Sequence, residues 1–423
     1  MRPRLHFTAE TGWINDPHGL TYHNGEYHLF HQYVPDSLVW APNCHWGHAT
    51  SPDLLNWTRH EVAIAPGDGD DGIWTGSLVL DGEDARIFYT AVSQPDLGLG
   101  RVRLAVPSGE TWETWSKGDV VVRPPGDLDL VAFRDPFVVR QAPGWRMFVG
   151  AATRSGDALA LTYTSDDLST WHYDGIALSR STEEVDPVWM GALWECPQIF
   201  EVDGHWVLVS SVWEADVLHY AGYAIGDADS YRNGRFSPAD WGRLSFGESY
   251  YAPSFFRDSV GRPCLMFWMR GVTDAKQGWA SCLSVPYLLS VRDGRLVAEP
   301  HPEVTHARGG NVGADESPQV FDLEWDPSRS GDRVVLEAEN GEAARLTVAD
   351  GSVTLARPGH DSWSMPWLGE RLRILVDGPV IEVSSTSGIL GGAIEPATLR
   401  HPVTGRCTAW SVAAQGCEVV RRS

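Results

Sequence analysis

The sequence predicts an all-β protein: a five-bladed β-propeller over residues 1–307, followed by a β-sandwich domain over residues 308–423. Three observations carry this prediction. A tripeptide motif recurs five times at a spacing of about sixty residues. Short strand-like runs follow each copy in the same order, and beyond about residue 300 a faster rhythm replaces the first.

The motif aligns as Asn15-Asp16-Pro17, Thr75-Gly76-Ser77, Arg134-Asp135-Pro136, Glu195-Cys196-Pro197 and Tyr251-Ala252-Pro253. Apolar runs come next at residues 27–34, 87–92, 147–152, 206–212 and 265–269. Turns such as Asn24-Gly25, Pro143-Gly144 and Asp203-Gly204 lead into them, which is hairpin chemistry. A third set lies at 45–50, 102–106, 159–164, 221–225 and 280–285. Two units close on related phrases, Ser-Pro-Asp-Leu-Leu-Asn-Trp at 51–57 and Ser-Asp-Asp-Leu-Ser-Thr-Trp at 165–171. Three clear strands and a fourth per unit, repeated radially, make a propeller blade. A strand at 283–290 running into a hairpin at 291–296 completes the fifth unit, and residues 307–311 form a polar link. Alternating runs at 319–323, 332–338, 344–348, 352–356, 371–376 and 380–384 then predict the sandwich.

Composition narrows the function. A net charge of −23 argues against nucleic acid and anionic membrane as partners. Twenty Trp suit a carbohydrate ligand, since aromatic faces stack on sugar rings, although blade packing takes most of them. The six Cys form no C-x-x-C pair and no zinc-type spacing, so no metal or other cofactor is expected and the thiols fit a reducing compartment. Cys407 and Cys417 are the one pair that an exported chain would join. Residues 1–12 are short and polar, unlike a signal peptide, and no apolar run approaches membrane-spanning length. The expectation is a cytoplasmic enzyme acting on a small carbohydrate; nothing in the sequence specifies its oligomeric state.

Five repeats around one axis would bring Asp16, Asp135 and Glu195 together. Many propellers are binding platforms without chemistry, so the fold alone leaves enzyme and scaffold open. The carboxylates decide. Buried unpaired carboxylates are costly, and convergent ones are what glycoside hydrolysis requires.

Trp13-Ile14-Asn15-Asp16-Pro17-His18-Gly19, Phe133-Arg134-Asp135-Pro136 and Trp194-Glu195-Cys196-Pro197 resemble the three signature motifs of glycoside hydrolase family 32, the invertases, inulinases and levanases. His31-Gln32-Tyr33, Trp46-Gly47-His48-Ala49, Trp74-Thr75-Gly76-Ser77 and Tyr251-Ala252-Pro253 match as well. The resemblance covers essentially the whole chain and implies the same propeller and sandwich. It implies Asp16 as nucleophile, Glu195 as acid/base and Asp135 as the clamp that stabilises the transition state. Asn15 and Gln32 would hydrogen-bond the fructose; Trp40, Trp74 and Thr75 would line its subsite, with Trp268 in the wall. Arg134 would lie near the sugar and the acid/base, whereas simple strand alternation sends its side chain away from Asp135. His48 reads as a structural histidine and Cys196 as a packing residue.

Three positions depart from the family pattern. His18 stands where Asn is usual, placing a larger, titratable ring near the substrate. Gln198 replaces a residue often acidic, and Thr75 replaces Ser. The implied activity is retaining hydrolysis of terminal β-fructofuranosyl bonds in sucrose or short fructooligosaccharides, through a covalent fructosyl-enzyme and without cofactor. A fructosyltransferase using that intermediate and a catalytically silent fructan-binding protein are the alternatives. Five-bladed relatives acting on arabinan or xylan invert, which needs carboxyls about 6.5–9.5 Å apart in place of about 5–5.5 Å.

Overall fold

Two-residue turns with both residues at positive φ match the right-handed twist of paired strands, and this chain uses them repeatedly. Asn24-Gly25, Asp203-Gly204 and Asp293-Gly294 all adopt that geometry, joining His23 to Glu26, Val202 to His205 and Arg292 to Arg295. The computed structural model describes residues 1–109, 111–313, 316–413 and 418–419. It is all-β, with one short α-helix at Pro302–His306 and a 3-10 turn at Ala228–Ser230 among the described residues. No helix among them is long and apolar enough to cross a membrane.

Residues before about 300 form successive antiparallel meanders. The first runs Gly12–His23, Glu26–Val34, His45–Ser51 and Thr58–Arg59. The second runs Gly72–Asp81, Asp84–Ser93, Asp96–Pro107 and Trp115–Val122. The third is Leu130–Gln141, Gly144–Thr153, Asp157–Ser165 and His172–Ser181. The fourth is Leu193–Val202, His205–Glu214, Val217–Gly226 and Asp240–Arg243. Tyr250–Arg257, Pro263–Asp274 and Trp279–Leu283 make the last, and Trp279–Leu283 also pairs in parallel with Gly12–His23.

The hydrophobic cores lie between neighbours. Phe30 and Trp46 of the first meander pack with Ile73 and Tyr89 of the second. Phe88 packs with Val149 and Leu161, Phe148 with Ile199 and Leu208, and Val207 with Leu265 and Phe267. Ile14 and Leu29 meet Cys264 and Met266, so the last meander rests on the first. The strand expected at 283–290 is interrupted at residues 284–286, where Pro286 cannot donate to a ladder, and Tyr287–Arg292 pairs afresh with Arg295–Pro300.

Beyond residue 307 two sheets form. One contains Arg308–Asn311, Val320–Asp326, Leu372–Asp377, Val380–Ser385, Gly388–Ala393 and Arg406–Val412. The other contains Arg333–Ala338, Gly341–Ala349, Ser352–Ala356, Trp363–Pro366 and Thr398–Arg400. Alternate residues Phe321, Leu323 and Trp325 of the first share one core with Val334, Leu336, Leu346 and Val348 of the second, the period-two pattern of a half-buried strand. The strands at 363–366, 388–393 and 398–400 lie outside the expected runs because Gly, Pro and polar residues dilute their alternation. Cys44, Cys196, Cys264 and Cys282 are buried thiols; of Cys407 and Cys417, the pair that an exported chain would join, Cys417 lies outside the described residues.

Strand pairing and buried polar contacts tie the halves together. Ser245–Phe246 pairs in parallel with Gly388–Ala393. At the same junction His6 is buried between Asp377, at 2.8 Å from Nδ1, and Glu382, at 2.6 Å from Nε2.

Candidate active site

The first strand of every meander breaks its ladder register at the repeated tripeptide: between Ile14 and Pro17, Trp74 and Gly76, opposite Phe148 to Gly150, between Glu195 and Gln198, and between Tyr251 and Ser254. A bulge supplies one extra residue and re-aims the side chains beside it. Asp135, Cys196 and Ala252 occupy its left-handed position, with φ of 65°, 51° and 46°. Gly76 stands where a Cβ would meet the Phe88 carbonyl oxygen at 1.9 Å, so the second strand reaches the same place only with glycine. These bulges resolve the conflict over Arg134: it turns to Glu195, with Nη2 2.8 Å and Nε 3.2 Å from Oε1.

The first slot of the tripeptides delivers Asn15, Thr75, Arg134, Glu195 and Tyr251 to one site. Asp16 Oδ2 accepts from Thr75 Oγ1 at 2.5 Å and Gln32 Nε2 at 3.3 Å, and Oδ1 accepts from Asn15 Nδ2 at 3.0 Å. Gln32 Nε2 also reaches Thr75 Oγ1 at 2.5 Å. Burial pushes the Asp16 carboxyl above the ordinary range; the Thr75 hydroxyl opposes this and the charge on Glu195 adds to it. Glu195 Oε2 accepts from the Tyr251 hydroxyl at 2.5 Å, a phenol that burial and the neighbouring carboxylate hold protonated.

Asp135 links the strands on either side. Its Oδ2 accepts from the Cys196 backbone N–H at 2.9 Å, and its own N–H donates to Thr90 Oγ1 at 2.7 Å. Burial pushes its carboxyl up to about 8, with Arg134 pulling it down and Glu195 and Asp16 pushing it further up. Cys196 Sγ lies 3.7 Å from Asp16 Oδ2, and burial raises that thiol well above its normal range, so it stays protonated.

The aromatic residues divide. Trp40 is 46% exposed and meets Trp74 edge-on at 5.7 Å, while Arg134 lies 6.0 Å over the Trp74 ring. Trp268 is buried behind them, edge-on to Trp13 at 5.6 Å and Tyr251 at 6.2 Å. His18, expected beside the sugar, is buried against Trp46 with ring centroids 3.8 Å apart, and neither ring nitrogen has a partner. With Ser77, Pro136, Gln198 and Ser254 it lines a cavity of ≈ 40 Å³ that Thr75, Asp135 and Cys196 also line. Burial drives its imidazole well below the usual range, so it is neutral. Gln198 is a cross-link: Nε2 donates to the Pro253 carbonyl at 2.5 Å and Oε1 accepts from Phe255 N–H at 2.6 Å. His48 stacks between Phe30 and His60 and meets His28 Nδ1 at 3.1 Å.

Tyr251, Thr90 and Trp13 were not among the residues expected from sequence. For Tyr251 the signal is its slot, the one Glu195 fills in the preceding repeat. Asp258, Cys264 and His301 form the one metal-sized cluster among the described residues, with ligand atoms within 4.8 Å of one another. Arg262 already occupies it: its Nε is 2.6 Å from Asp258 Oδ2 and its N–H 2.8 Å from Oδ1, so the group is a turn clasp.

The whole chain is similar in fold to the solved GH32 beta-fructofuranosidase BmSUC1 of Bombyx mori, with a TM-score of 0.84 and 23% identity over 99% of this chain and 95% of that one. In sequence it is 32% identical over 327 residues to the raffinose invertase of Escherichia coli, covering 72% of this chain and 66% of the relative. It is 31% identical over 324 residues to the sucrose-6-phosphate hydrolase of Bacillus subtilis (strain 168), covering 73% and 66%. The matched region thus spans just under two thirds of the length of these relatives. The model of the glycosyl hydrolases family 32 N-terminal domain matches residues 6–300, and with these likenesses it shows that the chain belongs to glycosyl hydrolase family 32.

Proposed function

We propose that this chain is a retaining β-fructofuranosidase that releases terminal fructose from sucrose or short fructooligosaccharides. In this proposal the five meanders are the blades of a propeller over residues 1–307, and the two later sheets are a β-sandwich over residues 308–423. One observation carries the reading: the carboxyls of Asp16 and Glu195, close enough for the charge of Glu195 to act on Asp16, are wired differently. Oδ2 of Asp16 is held by Thr75 and Gln32, which leaves Oδ1, with the single Asn15 contact, as the attacking oxygen. Glu195 instead faces a cation and a phenol, Arg134 and Tyr251, both placed to stabilise the charge that appears when it gives up a proton.

The steps follow. Asp16 Oδ1 bonds to the anomeric carbon as its glycosidic bond breaks, and the leaving oxygen takes the proton of Glu195. The carboxylate of Glu195 then accepts a proton from water, whose oxygen displaces Asp16 from that carbon. Asp135 grips the ring hydroxyls, and Trp40 and Trp74 offer aromatic faces to the sugar. Time-resolved NMR of the enzyme with sucrose tests this: β-fructofuranose should appear before mutarotation. An early α-anomer would refute double displacement, and no turnover of sucrose or fructooligosaccharides would refute the activity.

A further inference from the structure

The ≈ 40 Å³ cavity beside His18 receives residues from the first strand of all five meanders, Pro17, Thr75, Asp135, Cys196 and Pro253 among them. That volume has room for roughly three water molecules. Most of its polar lining is already committed. Thr75 and Cys196 turn to Asp16, and Gln198 spans to Pro253 and Phe255. Ser77 Oγ accepts from the Val138 N–H at 3.0 Å. Pro17, Pro136 and Pro253 have no N–H to offer.

The side chains with no such commitment are His18, Ser254 and, at one oxygen, Asp135. Both nitrogens of the His18 ring are buried without a partner, and a neutral imidazole carries one donor and one acceptor in either tautomer. Ser254 Oγ bonds to no described residue. Asp135 uses Oδ2 for the Cys196 N–H, and the cation next to it in the chain, Arg134, is spent on Glu195. Its Oδ1 has no donor among the described residues. Buried groups of this kind are rarely left unpaired, and water in a polar cavity pairs them.

Such water also suits what Asp135 does. Burial pushes its carboxyl up to about 8, and a hydrogen bond donated by water favours the charged form, which accepts from two ring hydroxyls at once. Asn, the usual residue of the family at this position, offers a donor and an acceptor too; Phe would keep a ring against Trp46 and offer neither. We propose that His18 is a positioning residue for Asp135: water in this cavity links the imidazole to the Asp135 carboxyl and holds that carboxyl toward the fructosyl ring. The role rests on the hydrolysis proposed above.

The test is a crystal structure of the wild type at a resolution that shows ordered water, with kinetics on sucrose for His18→Phe and His18→Asn. Water should lie within hydrogen-bond distance of a His18 ring nitrogen and connect it to the Asp135 carboxyl. His18→Phe should lower kcat about tenfold, the scale of one hydrogen bond, with little change in KM or melting temperature, since the clamp tightens in the transition state. His18→Asn should recover most of that loss, which a ring needed only for packing would not allow. A dry cavity, or water that reaches His18 but not Asp135, would overturn the link, and this readout needs no variant to fold. A folded His18→Phe with wild-type kcat, or His18→Asn no faster than His18→Phe, would overturn the role. Bridging water in a protein inert on every fructoside would refute hydrolysis and support the link.

Discussion

The buried clasp at His6 makes stability depend on alkaline pH. Burial alone would push the imidazole down, but hydrogen bonds to Asp377 and Glu382 outweigh it and hold the ring at about 9 against an ordinary 6.5. Its partners are committed as well. Asp377 Oδ2 accepts the Leu5 N–H at 2.7 Å, and Glu382 accepts from Tyr250 at 2.6 Å, from Tyr287, and from Val285 N–H at 2.9 Å. Since the folded state binds this proton more tightly than the unfolded chain, its contribution is complete below pH 6.5 and declines as pH rises to about 9. The difference corresponds to about 3 kcal/mol. Urea denaturation at steps from pH 6 to 9.5 should show that loss in the wild type. His6→Gln keeps a neutral donor but no charge. It should cost roughly 3–5 kcal/mol at pH 6.5, the scale of breaking a buried pair, and converge toward the wild type above pH 9. Parallel stability profiles for the two proteins would refute the clasp.

Three further outcomes bear on the site. Asp16→Ala should remove turnover by several orders of magnitude while leaving the melting temperature near or above that of the wild type, because it relieves a carboxyl that burial disfavours; wild-type rates would exclude Asp16 as nucleophile. Glu195→Gln should lose most hydrolysis of sucrose but far less of a fructoside whose leaving group needs no proton, and equal losses on both would remove it from the acid role. Tyr251→Phe deletes the 2.5 Å donor to Glu195 and should lower kcat about 10- to 100-fold with little change in KM, since that bond serves the charge on the acid and not the sugar. An unchanged kcat would make Tyr251 a packing residue only.

Much of the site was legible in the chain because its five tripeptides are equivalent slots, and equivalence survives without knowing any distance. Asp16, Asp135 and Glu195 announced themselves as acids in those slots; Tyr251 did not, because its importance comes from what Glu195 needs beside it. Arg134 could not be oriented from alternation, since a bulge with Asp135 at φ 65° overrides the period of two. Gln32 and Thr75, expected at the sugar, also hydrogen-bond Asp16, and His18 is buried against Trp46 in a cavity that Asp135 lines too, contacts that no local pattern announces.

Sequence by itself determined the all-β class, the repeat and the carboxyls available for chemistry, because these depend on local periodicity and residue type. Tertiary structure alone decided which donors each carboxyl receives and where His6 is buried. Those are contacts between residues tens to hundreds of positions apart, set by how neighbouring strands pack and where their ladders slip, and no local pattern encodes them.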